Sequence, residues 1–171
     1  MKKLLLAITL IVGVSVAAIA QPRAIGGRFG WNLEVSYQHG IGNGFLEVDA
    51  GAFYLPSLGI HAAVVYDWIF ASPSWTPKGT WDWYAGVGGA GGFAFHERHD
   101  AEYDHSWWYI GVAGQIGLSY TFWFPLQLSL DFRPTIGPAF HHHPDGTHID
   151  FHLHGLFDLA LGVRYAFGAG K

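Results

Sequence analysis

From Gln21 onward, apolar and polar residues alternate with a period of two in segments of about ten residues, and few folds accommodate that pattern. Leu126, Leu128, Leu130 and Phe132 alternate with Gln127, Ser129, Asp131 and Arg133. Trp108, Ile110, Val112, Ile116, Leu118, Tyr120 and Phe122 stand against Gln115, Ser119 and Thr121. Phe151, Leu153, Phe157, Leu159, Leu161, Val163, Tyr165 and Phe167 stand against Asp150, His152, His154, Asp158 and Arg164. Successive side chains of a strand point to opposite faces, so each segment is a strand with one greasy face and one ionisable face. The chain is therefore expected to be all-β.

Alternation alone does not say which face is inside, because a soluble sandwich or lipocalin-like barrel would turn the apolar face inward. The N-terminal signal pattern and the charge placement decide. Charged residues are 13% of the chain, aromatics 17% and hydrophobic residues 50%, with 24 glycines. A small closed soluble core could not bury so many ionisable groups, whereas a barrel in a bilayer turns its grease outward and its polar groups inward. After the first twenty residues no apolar run reaches the length of a membrane helix, which leaves the barrel as the spanning solution. The expected fold is an eight-stranded antiparallel up-and-down transmembrane β-barrel in a Gram-negative outer membrane.

Met1-Lys2-Lys3, the apolar run Leu4 to Ala17 and Ala18-Ile19-Ala20 follow the charged, apolar and small-residue order of a cleavable secretory signal. Residues 1–20 are expected to be removed, leaving one barrel domain over 21–171. There are no cysteines, so disulfides, thiolate metal sites and cysteine nucleophiles are excluded.

A bacterial barrel normally has an even number of strands. The count reaches eight if residues 23–39 form a hairpin turning at Gly30-Trp31-Asn32, with the remaining strands near 45–54, 58–69, 81–94, 107–122, 126–140 and 149–167. That register predicts Arg28 opposite Glu34 on the polar face. It also gathers Tyr37, Tyr66, Trp68, Trp81, Trp83, Tyr120, Phe122, Trp123, Tyr165 and Phe167 as an aromatic girdle at the periplasmic rim. The segment from Phe70 to Thr80, with Pro73 and Pro77, is long for a periplasmic turn.

The segments Ala24-Ile25-Gly26-Gly27-Arg28-Phe29-Gly30, Glu34-Val35-Ser36-Tyr37-Gln38, Trp83-Tyr84-Ala85-Gly86-Val87-Gly88 and Pro125 to Pro134 resemble the small eight-stranded outer-membrane barrel family of outer-membrane protein X and the membrane domain of outer-membrane protein A. The resemblance spans nearly all of the chain after the signal and contains no catalytic motif. It implies a barrel inserted by the outer-membrane assembly machinery and surrounded by outer-membrane lipids. The family usually ends on an aromatic residue, whereas here Phe167 is followed by Gly168-Ala169-Gly170-Lys171.

An eight-stranded barrel is just wide enough to be filled by its own side chains, so the lumen should be a polar core and the protein a monomer. Its inward acids are expected to be Glu34, Glu47, Asp49, Asp67, Asp82, Asp131 and Asp158, facing Arg28, Arg133 and Arg164 in an ion-pair network with trapped water. The excess of acid also allows a proton or cation path. Histidine is the unusual residue, with eleven in all, concentrated between His96 and His154. His96, His99, His141, His142 and His143 are candidate zinc or copper ligands in outer loops, and His152 and His154 share one strand face. Solvated loops and hydrogen bonds to lumenal acids would account for the same residues without any cofactor.

Removing Lys2 and Lys3 takes the formal charge from −4 to −4 − 2 = −6, and protonating eleven histidines would bring it to −6 + 11 = +5. A pH-dependent surface interaction is thus one use of these residues.

Gly86-Val87-Gly88-Gly89-Ala90-Gly91 matches a dinucleotide-binding glycine pattern, but strand-like residues follow where a helix is required. Ser106 beside His105 and near Asp104 is the one local group suggesting a lipid-modifying enzyme, and adjacent strand residues face opposite ways. An exported acidic chain without a basic patch is not expected to bind nucleic acid. The expectation is a non-enzymatic barrel in envelope structure or surface interaction, with metal binding as the alternative and a lipid-modifying enzyme third.

Overall fold

A computed structural model describes residues 21–53, 58–94, 107–143, 146–154 and 158–168; residues 1–20, expected to be a cleaved signal, and His96, His99, His105 and Ser106 lie outside these described residues. The strands are β1 (Gln21–Phe29), β2 (Asn32–Ile41), β3 (Gly44–Phe53), β4 (Gly59–Ala71), β5 (Thr80–Ala94), β6 (Trp107–Thr121), β7 (Gln127–Phe132), β8 (Thr135–His143), β9 (Gly146–His154) and β10 (Leu159–Ala166). Every pairing is antiparallel between neighbours, and β1 pairs with β10 from Ala24↔Ala166 to Phe29↔Leu161, which closes the sheet. Both β7 and β8 pair with β6, and β10 and β9 continue that ladder as Leu159↔Phe132 and His154↔Thr135. The ten segments therefore make eight staves of one closed barrel.

The two interrupted staves refine the sequence expectation of single strands over 126–140 and 149–167. Pro134 has no N–H to give the ladder, so β7 and β8 separate there. The backbone stays tied across the break, because Gly114 N donates to Pro134 O at 3.0 Å and Arg133 N donates to Asp158 O at 3.0 Å.

The first hairpin turns where the alternation requires. Gly30 N donates to Asn32 O at 3.0 Å, Phe29 pairs with Leu33 and Arg28 with Glu34. An odd connection keeps one face in phase through the turn, and a slip of one residue would expose every polar side chain.

The two faces of the wall are inverted relative to a soluble core. Arg28, Glu47, Asp49, Asp67, Asp131, Arg133 and Arg164 are buried, while Val35 is 66% exposed, Ile60 56%, Val112 57% and Leu130 52%. Aromatic pairs collect at the end that carries both termini, among them Tyr66 with Trp68 at 4.9 Å, Trp81 with Tyr120 at 4.6 Å, and Tyr165 with Phe167 at 5.2 Å. The long connection of residues 72–79 lies at this end too. Trp75 packs on Trp81 at 5.3 Å, Trp81 Nε1 donates to Thr76 Oγ1 at 3.2 Å, and Gly79 takes the positive φ of 76° that closes the turn.

At the opposite end the wall is uneven. The partner of β10 on one side, β1, stops at Phe29↔Leu161, whereas β9 continues and pairs with β8 alone among the described strands. The β8–β9 hairpin thus extends past the short β1–β2 hairpin.

Barrel closure can be tested with engineered cysteines, since the natural chain has none to compete. Directly opposed residues place their Cα atoms about 4.5–5.5 Å apart, within disulfide range. Ile25→Cys with Tyr165→Cys should crosslink on mild oxidation, read as altered gel migration. Ile25→Cys with Leu161→Cys, displaced along the ladder, should not.

Candidate functional site: the ionic lumen

All seven acids expected to face inward are buried, and the three arginines expected to face them are 0–1% exposed. Their connections follow from position. Glu34 sits on β2 directly across from Arg28, and Arg28 Nη1 donates to Glu34 Oε2 at 2.8 Å and to Asp158 Oδ1 at 3.2 Å. Arg133, just past the end of β7, reaches across the lumen to both oxygens of Glu34 at 2.7 Å and also donates to Asp49. His61 Nε2 lies 3.1 Å from Glu34 Oε1, and its Nδ1 is 2.5 Å from the Tyr109 hydroxyl. One carboxylate thus serves two guanidiniums and an imidazole.

Arg164 on β10 anchors a second group nearer the termini. It donates to Ser36 Oγ at 2.9 Å, Ser129 Oγ at 2.6 Å and Glu47 Oε1 at 2.9 Å. Gln38, opposite Glu47 in the ladder, donates to its other oxygen at 2.6 Å. Tyr84 and Ser129 donate to Asp131.

Glycine makes room for these long side chains. A Cβ at Gly162 would stand 2.2 Å from Arg164 Nη1 and 2.2 Å from Ser129 Oγ, and one at Gly117 would stand 2.5 Å from the Tyr84 hydroxyl. The glycine-rich run of β5 also belongs to the wall, since a Cβ at Gly88 would stand 1.9 Å from Val64 O. That placement is incompatible with a strand-to-helix phosphate loop.

Aromatic rings cover the charges at both ends. Phe45 and Tyr84, both 0% exposed, meet edge to face at 5.1 Å toward the termini. Phe53, Trp107 and Tyr109 form the opposite cover, with centroid separations of 6.0 and 5.8 Å. Outside the Phe45–Tyr84 layer is an open vestibule of about 470 Å³, lined by Arg23, Asp82, Gln127, Phe122 and Phe167 among others. Arg23 closes its floor by donating to Asp82 at 2.8 Å, and Ser72 donates to the other Asp82 oxygen at 2.7 Å.

Besides the hydrogen-bonding partners Ser36, Gln38, Tyr84 and Tyr109, two titratable members of the lumen, His61 and Arg23, are absent from the inward set expected from the sequence. His61 falls on the inward phase of Gly59, His61, Ala63, Val65 and Asp67, which is the signal in the sequence that places it in the lumen. Arg23 falls on the outward phase next to inward Ala24. A register shift between Pro22 and Ala24 redirects it, and such a bulge has no marker in the sequence.

Asp67 differs from the other lumenal acids. Its described side-chain partner is Gln115 Nε2 at 3.3 Å, and no described cation lies within ion-pair range.

Of the proposed metal ligands, His141, His142 and His143 lie on β8 and His152 and His154 on β9. The ladder sets His152 opposite Gly137 and His154 opposite Thr135, so these two are displaced along the hairpin from the three β8 histidines. His142 falls on the face opposite to His141 and His143. Among residues with described side chains, no three of His, Asp and Glu cluster as a metal site. No family model matches this chain, and neither a curated protein nor a solved structure matches it.

The network makes opposite predictions for two acids. Glu34→Gln leaves Arg133 and Arg28 with too little compensating charge and should destabilise the refolded barrel by about 3–5 kcal/mol. Asp67→Asn replaces a buried carboxyl that lacks a described cationic partner with a neutral group of the same shape and should leave stability unchanged or raise it. Urea titration followed by tryptophan fluorescence measures both.

Proposed function

We propose that this protein is a non-enzymatic β-barrel of a Gram-negative outer membrane, standing as a monomer among outer-membrane lipids after insertion by the assembly machinery. It serves envelope structure or surface interaction through the barrel end remote from its termini. The observation that carries the reading is the inversion of the wall. Large apolar side chains such as Val35, Ile60, Val112, Leu130 and Leu161 stand exposed, while arginines and carboxylates are buried inside. Water would penalise that outer face, whereas lipid tails solvate it, and where the wall closes through β1 and β10 it leaves no backbone edge to satisfy in hydrocarbon.

The lumen supports a role at the ends of the barrel rather than transport through it. What supports this is that Arg28, Arg133 and Arg164 are 0–1% exposed, with aromatic layers above and below them among the described residues. Among the described strands at this end, β8 and β9 continue past the last pairing of β1.

The test is expression of the full chain in a Gram-negative host, followed by density fractionation and heat-modifiability gels. Recovery in the outer-membrane fraction as a compact, heat-modifiable band is expected. Recovery as a detergent-independent soluble protein would overturn the membrane reading. In planar bilayers the purified barrel should give no sustained conductance, and a stable open level would overturn the filled lumen.

A further inference from the structure

Hairpin β8–β9 carries an arrangement that uses none of the lumenal ion pairs. Antiparallel pairing sets His141 directly opposite His148, and this is the one histidine-to-histidine pair in the described ladders. His143 follows two residues along β8, and Asp150, which is exposed, two residues along β9. Period two places all four on one sheet face, the face that Gly137 and Ala139 share farther down β8.

The spacing suits one small ion. Directly opposed residues have Cβ atoms about 4.5–5.5 Å apart, and diagonal neighbours are about 7–8 Å apart. Imidazole binds zinc at about 2.0–2.1 Å, so the two residues of one rung and one diagonal neighbour, His143 on one side or Asp150 on the other, are spaced for a single centre. Imidazoles joined by a single carboxylate select zinc and copper over calcium and magnesium, which prefer sets made of oxygen.

We propose that the His141–His148 rung of hairpin β8–β9, flanked by His143 and Asp150, is a binding site for one divalent ion of the zinc and copper class. The rung lies where β9 has no second described strand beside it. The candidate set from the sequence is thereby changed: His148 and Asp150 enter it, while His142 leaves because it occupies the other face. The site does not depend on where the barrel resides, so its failure and that of the membrane reading are separable.

Zinc, and separately copper, would be titrated into the purified protein in detergent by calorimetry, with zinc also followed by NMR of the imidazole resonances. One saturable equivalent with micromolar or tighter affinity is expected, undiminished by excess calcium. The His141 and His148 resonances should move while those of His39 and His61 stay. His141→Asn and His148→Asn should each weaken binding roughly tenfold or more, while His142→Asn leaves it unchanged. Circular dichroism and amide dispersion identify variants that retain the barrel. The proposal is overturned if the unsubstituted protein binds no ion saturably or if its His141 and His148 resonances do not respond. It is equally overturned if the His141→Asn/His148→Asn double variant binds as tightly as before, if His142→Asn is as damaging as His141→Asn, or if His96→Asn/His99→Asn alone abolishes binding.

Discussion

Glu34 receives Arg28 from the neighbouring strand and Arg133 from across the barrel, with the His61 imidazole 3.1 Å from the same carboxylate. Through these contacts it joins β1, β2, β4 and the β7/β8 stave, which lie on different sides of the ring. A guanidinium taken out of water costs several kcal/mol unless its donors and charge are met. The inward acids are therefore a condition for closing this wall around three buried arginines. Asp158 completes the requirement, lying 3.2 Å from Arg28 and 3.7 Å from Arg133.

Filling so narrow a lumen with long polar chains demands space, and the wall supplies it by omission. Gly162 and Gly117 leave the volume that Arg164, Ser129 and Tyr84 occupy. Close packing and charge pairing thus act together: the arginine side chains fill the section that a wider barrel would leave to water. The Phe45–Tyr84 and Phe53–Trp107–Tyr109 layers exclude solvent from above and below, which strengthens every ion pair between them. A barrel stabilised in this way has its adaptable chemistry at its ends, where strands differ in length.

Much of the fold could be read from the residues because period two is a local property with a global consequence. Once Arg28 and Glu34 are both inward across an odd turn, the register of the first hairpin follows, and the phase of each later strand sorts its acids into the lumen. The aromatic clustering at the terminal end follows from the up-and-down order. His61 obeys the same rule, yet only its approach to Glu34 and Tyr109 distinguishes it from the other histidines. Arg23 could not be placed at all, since a one-residue irregularity reverses its side chain.

Alternation, composition and turn positions were sufficient by themselves to determine an eight-stave antiparallel wall, its inward set of acids and arginines, and the pairing of Arg28 with Glu34. They act through strand geometry, which couples each residue to its neighbours two positions away. Which acid meets which arginine across the lumen was decided only by the tertiary structure, as when Arg133 reaches Asp49 from the far side of the ring. So were the separation of β7 from β8 around Pro134, the inward turn of Arg23, and the opposition of His141 to His148. Those outcomes depend on register and curvature around a closed ring, where residues distant in sequence become adjacent.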